Sequence, residues 1–395
     1  MREARQVKYI IAIGDGMADL AQPSLRDETP LSFAHTPCLD RLARRGRVGS
    51  TCLIPPGCAP GSLPAQLTLL GCPPAVCGCG RAALEALAHG PLADGESAVR
   101  CNLVALSDGR LLAHDGGGLT ADEADALFSA LRDTLTDETH RFLPGAGYRG
   151  LLVRRGAPMP VGISPDALLG QPLAGALPED DDLVRLFYAG QAVLTDHPVN
   201  QARAARGQHP ANGIWFWGGG AAPVLPDFEV QTGLRGAVVT GVPLLRGIAR
   251  GMGLIVLPVD GADGSLHTNW EGKAFATFDA LTRGGFDFAL VHAEAPDEAG
   301  HAGSLPEKVA AIEYFSERLL DRLTGWLDEA GTDYRLLVLA DHPTPVLLRV
   351  HTAGPVPWLL YDRTRERTAD EPYREDNAGP RVPGAQMLTL LLGEE

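Results

Sequence analysis

No stretch of this 395-residue chain reaches the roughly 18 uninterrupted apolar residues that a membrane-spanning helix requires. Basic side chains are in deficit: 34 Lys and Arg against 49 Asp and Glu give a formal net charge of −15. That balance argues against nucleic acid or an acidic membrane as the main partner. It leaves room for a small anionic substrate, because a few local arginines override the overall field. Cysteine is missing beyond residue 101, and the seven present are odd in number, which argues against a disulfide framework. Cys72, Cys77 and Cys79 lie close enough to suggest zinc, but a matching second pair is lacking, so small buried or loop thiols are expected. Met1-Arg2-Glu3-Ala4-Arg5 lacks the apolar stretch and cleavage pattern of a signal peptide, which makes the cytoplasm the expected location. Internal repeats and long low-complexity tracts are also lacking.

What is present is enough hydrophobic residue, 45% of the chain, to bury ordinary globular cores, and a length that favours two domains. Short apolar runs alternate with amphipathic helical patterns, the signature of an α/β fold with a largely parallel sheet flanked by helices. Strands are expected at 8–14, 236–241, 254–258, 286–292, 334–340, 346–350 and 357–361. Helices are expected at 36–46, 82–88, 120–135, 181–194, 243–252, 273–283, 305–330 and 384–393. Thr36 before Pro37 is a plausible N-cap of the first helix, and Gly46 ends it. The middle of the chain has a different texture, with Gly116-Gly117-Gly118 and Pro/Gly-rich loops. It is read as a smaller α+β domain at 96–211, inserted between core segments 1–95 and 212–395 and serving as a lid.

Seven scattered residues can be read as ligands for two metal ions. Asp15 follows the apolar run 9–13, and Asp341-His342 follows 336–340. Asp297 and His301 are spaced i, i+4, so one helical turn puts both on one face. Ser62 and His351 complete the set. Asp15, Asp297 and Asp341 all lie just beyond the C-terminal ends of expected strands, the edge at which open α/β sheets place their sites. Oxygen and imidazole donors suit Mn²⁺, Zn²⁺ or Mg²⁺. Read singly, each has a plainer meaning: Ser62 an N-cap serine, Asp341-His342 a surface turn, Asp297 and His301 an unliganded helix pair. His292, at the end of the strand before Asp297, suits either a group supporting a ligand or a satisfied core histidine. Arg81, Arg100, Asn102 and Lys273 are candidates for phosphate or carboxylate contacts, with Asn200 and Arg203 reaching in from the insert. Ordinary surface charge is the alternative for the basic groups. Trp215 and Trp217 are expected to pack where the chain re-enters the core.

In order along the chain come Gly14-Asp15-Gly16-Met17-Ala18-Asp19, Thr36-Pro37-Cys38-Leu39-Asp40, Pro60-Gly61-Ser62 and Gly80-Arg81-Ala82-Ala83-Leu84-Glu85-Ala86. Arg100-Cys101-Asn102-Leu103, Asp196-His197-Pro198-Val199-Asn200 and Thr268-Asn269-Trp270-Glu271-Gly272-Lys273 come next. The last third adds Glu294-Ala295-Pro296-Asp297-Glu298-Ala299-Gly300-His301, Asp341-His342-Pro343-Thr344-Pro345 and His351-Thr352. With these motifs the chain resembles the archaeal-type, cofactor-independent (2,3-bisphosphoglycerate-independent) phosphoglycerate mutases of the alkaline phosphatase superfamily. The resemblance implies an alkaline-phosphatase-like core and two divalent ions, Mn²⁺ foremost, with Zn²⁺, Co²⁺ or Mg²⁺ also suitable. It implies no need for 2,3-bisphosphoglycerate and a small phosphorylated carboxylic acid as substrate. Asp15, Ser62, Asp341 and His342 would bind one ion, and Asp297, His301 and His351 the other. Ser62 would be the nucleophile, carrying the phosphoryl group between the two hydroxyls of glycerate.

One stretch departs from the pattern. Where the family usually has Gly-Ser-Asp-Thr-Ala, this chain has Gly61-Ser62-Leu63-Pro64-Ala65, which removes a carboxylate beside the nucleophile. Pro64 fits a first helical turn. The departure keeps an alternative open: a phosphatase or homoserine-kinase-like phosphotransferase acting on another small phosphorylated acid. A non-catalytic metal-binding protein is the third reading, against which the intact ligand set speaks.

Overall fold

The computed structural model describes residues 7–72, 80–145, 147–221, 224–365, 367–368 and 371–393. The strands, in chain order, are β1 (Lys8–Gly14), β2 (Arg47–Cys52), β3 (Glu96–Ser107), β4 (Arg110–Ala113), β5 (His140–Pro144), β6 (Arg149–Arg155), β7 (Gly213–Ala221), β8 (Gly236–Val239), β9 (Ile255–Val256), β10 (Phe288–Ala293), β11 (Tyr334–Leu339), β12 (Val356–Asp362) and β13 (Arg381–Pro383). The chain divides into two compact units, 1–78 with 225–395, and 79–224.

The first unit is built on an eight-stranded sheet in the order β13-β2-β12-β11-β1-β10-β8-β9. The five strands from β11 to β9 run parallel; β12 is antiparallel to both β11 and β2. The central strands read as unbroken apolar runs because both faces are covered, as parallel sheets require. Ile10, Ile11, Ala12 and Ile13 of β1 are all fully buried, as are Leu336, Leu337, Val338 and Leu339 of β11. Helices Pro37–Arg44, Trp270–Thr282 and Leu305–Tyr314 supply apolar faces to one shared core. Thr36 occupies the N-cap position of Pro37–Arg44, but its side chain makes no capping bond there.

Two expectations need correction in this unit, and one strand was not expected. The run 346–350 is a turn rather than a strand: Arg349 has φ +58, and Leu347, Leu348 and Val350 are exposed. β11 is already paired on both sides, by β1 and β12, so no ladder is open to it there. The polar strand β2, Arg47-Val48-Gly49-Ser50-Thr51-Cys52, lies between β12 and β13 and escaped an apolar-run search. The expected helix 305–330 is continuous, but its middle turns, Phe315–Asp321, are π-helical.

The second unit has an antiparallel sheet in the order β4-β3-β6-β5, with β7 also paired to β3. Helices Ala121–Leu135 and Asp181–Thr195 bury Leu127, Leu131, Leu186 and Phe187 in its core. A capping box between Thr120 and Glu123 starts the first of them. This unit is wider than the expected 96–211. The helix Arg81–Leu87 packs on β3 and β7, and β7 itself continues the pairing beyond residue 211. Trp215 is therefore a core residue of this unit, its indole N–H donating to Ile163 O at 2.8 Å, and Trp217 lies under the Arg100 guanidinium. Cys77 and Cys79 lie outside the described residues.

Candidate active site

Three neighbouring parallel strands decide where the chemistry-bearing residues meet. β1 pairs with β10 and with β11, in registers that set Gly14 opposite Ala293 and Ile13 opposite Leu339. The three strands thus end level, and their C-terminal turns emerge at one edge of the sheet. Asp15 comes directly after β1, its N–H donating to Ala293 O at 2.9 Å. After β10 the helix Ala295–Ala302 carries Asp297 and His301 one turn apart, with His301 Nε2 3.2 Å from Asp297 Oδ2. After β11 the chain turns at Asp341-His342, held by Gly16 N–H and His342 N–H donating to Asp341 Oδ1. Gly16 has φ +59, and a Cβ there would sit 2.5 Å from Asp297 Oδ1, so only glycine fits.

Ser62 is the first residue of the helix Ser62–Leu69, with Gly61 in the N-cap position. Its Oγ lies 3.1 Å from His342 Nε2 and 3.5 Å from Asp15 Oδ2. His342 Nε2 is also 3.5 Å from Asp15 Oδ1 and from Asp341 Oδ2. On the other side, His301 Nε2 and His351 Nε2 approach to 2.8 Å, and His351 Nε2 is 3.5 Å from Asp297 Oδ1. His301 Nδ1 bonds Arg349 O at 3.0 Å, which leaves Nε2 to face Asp297 and His351. The geometry brings all seven candidate ligands into one cluster within the first unit. Asp297 joins its two halves: its ligand atoms lie within 4.8 Å of those of His301 and His351, and also of Asp15 and His342.

The electrostatics are those of a cation site. Burial raises the Asp15 carboxyl well above its usual range, and Asp341 and Asp297 push it further. Burial opposes ionisation of Asp297 as well, but hydrogen bonds from His301 and His351 outweigh it and hold that carboxyl well below its usual range. His301 is raised to about 9, chiefly by its bond to Asp297. Burial lowers His342. Among the described residues Asp15 Oδ1 and Asp341 Oδ2 are buried without a hydrogen-bond partner, and two imidazole Nε2 atoms face each other. Such a set fits divalent metal: a cation would satisfy the orphaned oxygens and supply the charge now taken as protons.

The metalloenzyme superfamily pattern matches residues 7–379. A 2,3-bisphosphoglycerate-independent phosphoglycerate mutase of Methanosarcina mazei is 40% identical over 396 residues, 98% of this chain and 99% of that one. The chain belongs to this family of metalloenzymes. Among solved structures, a Pyrococcus horikoshii protein superposes with a TM-score of 0.82 at 26% identity, covering 99% of this chain and 97% of that one. The cofactor-independent phosphoglycerate mutase of Thermoplasma acidophilum gives 0.65 at 25% identity, covering 98% and 99%. The α/β core with a largely parallel sheet expected from the sequence is the fold shared with these solved structures. No helix among the described residues is long and apolar enough to cross a membrane.

The remaining candidates of this phosphoglycerate mutase family member divide sharply. Lys273 is buried in the first unit, its Nζ 3.3 Å from both His292 O and Asp263 O, and burial lowers it to about 8. In the second unit Arg81 is half-exposed and pairs with Glu85 at 2.8 Å. Arg100 is partly buried, bonded to both Glu85 oxygens and stacked on Trp217. Asn102 Oδ1 is buried with no hydrogen-bond partner among the described residues. Asn200 and Arg203 are corrected to internal roles. Asn200 bonds Leu194 O and both polar groups of the Ala211 backbone. Arg203, fully buried, spends all three nitrogens on Glu123, His209 O and the carbonyls of Gly116–Gly118. Both serve to hold loops of their own unit.

His292 resolves toward the site: it is fully buried, its Nε2 is 3.0 Å from Asp15 Oδ2, and burial lowers it to about 4. Its Nε2 shares a hydrogen bond with Asp15 and so orients a candidate ligand. Sequence reasoning passed over Thr344 and Lys308, both fully buried next to the cluster. The spacing of Lys308 with Ala311, Ile312 and Phe315 (i, i+3, i+4, i+7) was a usable sign that this lysine faces inward.

Proposed function

We propose that this protein interconverts 3-phosphoglycerate and 2-phosphoglycerate without 2,3-bisphosphoglycerate, with Ser62 as nucleophile. One observation carries the reading: Ser62 Oγ stands at the start of a helix, 3.1 Å from His342 Nε2 and 3.5 Å from Asp15, inside a carboxylate–imidazole cluster. The named relatives favour a mutase over a phosphatase or a homoserine-kinase-like phosphotransferase. We assign Asp15, Ser62, Asp341 and His342 to one divalent ion and Asp297, His301 and His351 to a second, with Mn²⁺ first and Zn²⁺, Co²⁺ or Mg²⁺ after it. Bound there, such ions lower the pKa of a serine hydroxyl and neutralise charge on phosphoryl oxygens.

The reaction needs two matched transfers. Ser62 Oγ forms a bond to phosphorus as the bond to one glycerate oxygen breaks; the serine gives up a proton and the departing oxygen gains one. Glycerate then presents its other hydroxyl, and the phosphoserine returns the group to it. Lys273, lowered by burial to about 8, still carries its positive charge at neutral pH and can offset negative charge that arrives beside it. Arg81, Arg100 and Asn102 are proposed contacts for a phosphate or carboxylate group. A glycolytic substrate makes the cytoplasm the proposed location.

The test is an assay of Mn²⁺-loaded enzyme for 2-phosphoglycerate formation, with inorganic phosphate measured in parallel. Expected are mutase turnover without 2,3-bisphosphoglycerate, little phosphate release, and intact-mass detection of phosphorylated Ser62. Ser62→Ala should lower turnover by at least about 10³-fold. Phosphate release outpacing isomerisation, or full turnover by the alanine variant, would overturn the assignment.

A further inference from the structure

We infer that Thr344 is a positioning residue of the metal centre, whose hydroxyl orients one ligand of each proposed ion. The inference rests on the reading that these residues hold metal, and it concerns a side chain to which no role has so far been attached. Thr344 is fully buried. Its Oγ1 lies 2.5 Å from Asp297 Oδ1 and 3.2 Å from His342 Nδ1. A hydroxyl has one proton to donate, and an ionised carboxylate only accepts. The proton therefore goes to Asp297, and the bond to His342 runs the other way, from Nδ1–H to Oγ1. That fixes the tautomer of His342, leaving its Nε2 lone pair facing Ser62 Oγ at 3.1 Å. A ligating imidazole needs this arrangement, and its outer partner commonly decides it.

The backbone of Thr344 is clamped as firmly as its side chain. Lys308 Nζ donates to Thr344 O at 2.6 Å and pairs with Asp19 Oδ2 at 2.9 Å, with neither charged side chain exposed. Asp19 Oδ2 also accepts from Val346 N–H at 3.0 Å, and Thr344 N–H donates to Ala18 O at 3.2 Å. Gly300 and Gly16 close the pocket around it: a Cβ on Gly300 would clash with Thr344 O, and one on Gly16 would lie 2.6 Å from Thr344 Oγ1. The hydroxyl thus has a fixed position, and both of its bonds end on proposed ligands.

Two pairs of variants isolate the hydroxyl. Thr344→Val keeps the shape and loses the O–H; Thr344→Ala and Thr344→Ser differ by the O–H alone. Mn²⁺ titration of the metal-free proteins by calorimetry, with ¹⁵N shifts of the His342 ring, gives readouts independent of turnover. Expected is a 10- to 100-fold weaker Mn²⁺ affinity, about what loss of an outer-shell partner costs, in the valine and alanine variants. The serine variant should bind within about threefold of wild type, and His342 should lose its single Nδ1–H tautomer only where the hydroxyl is gone. Should the valine variant fail to fold, the alanine–serine pair carries the same comparison. Alanine and valine variants that bind Mn²⁺ like wild type would overturn the inference alone. A wild type that takes up no Mn²⁺ would overturn the metal reading, and this inference with it.

Discussion

Glu85 is buried in the second unit, yet it is ionised because Arg100 and Arg81 close on it. Burial opposes its charge, and the two guanidinium groups outweigh that cost and hold it at about 2. Its pKa is thus lower in the folded state than in the unfolded chain. The resulting stabilisation is complete above pH 4.5 and is lost as the pH falls toward 2. It amounts to about 3 kcal/mol, of which roughly half is gone by pH 3. Urea unfolding of the second unit should therefore show this acid-dependent loss in wild type and lack it in Glu85→Gln. Equal slopes against pH in both proteins would contradict the pairing. At the same scale the sequence was informative about ligands and silent about their support. Asp15, Asp297 and Asp341 were legible because acids just beyond the ends of expected strands carry a position. Thr344 and Lys308 were not, because their partners Asp297, Asp19 and Ala18 lie elsewhere in the chain and come close only in three dimensions.

The helix Ser62–Leu69 shows what an element adds to its residues. Leu63 and Pro64, where the resemblance implies an acid and a polar residue, occupy its first turn; Pro64 is buried and Leu63 is half-buried. Proline is tolerated there, so the departure leaves the helix and Ser62 in place. The missing acid would have faced the positive end of the helix. Leu63→Asp should stabilise metal-free protein by a few tenths to about 1 kcal/mol at low salt, measured by urea unfolding. A loss of stability would mean that the apolar contact of Leu63 outweighs the helix end. Elements were legible where pattern and burial agree, as in β1, β10 and β11. They were misread where an apolar run has no open strand beside it, as at 346–350, or where a strand is polar, as in β2.

Across the molecule, all seven candidate ligands belong to the first unit, although the second interrupts that unit's sequence between Gly78 and Leu225. Metal should therefore stabilise one unit selectively. Ligand present at about 100 times its dissociation constant adds about 2.7 kcal/mol to the state that binds it. Chelation should lower the unfolding temperature of the first unit and abolish turnover, while hydrogen exchange in β3, β5 and β6 stays unchanged. Equal loss of protection in both units would place the stabilisation elsewhere.

By itself the sequence determined the fold class, the alternation of strands and helices, and the identity of the candidate ligands. Fold class and alternation come from periodicity and residue chemistry, which are local properties; Ser62 joined the ligand set through the resemblance of the motifs. Tertiary structure decided which of these residues meet. The parallel registers of β1, β10 and β11 bring Asp15, Asp297 and Asp341 to one edge, and the same folding spends Arg203 and Asn200 on their own loops. A polar side chain's role depends on which partners satisfy it, and partners distant in sequence are chosen only when the chain has folded.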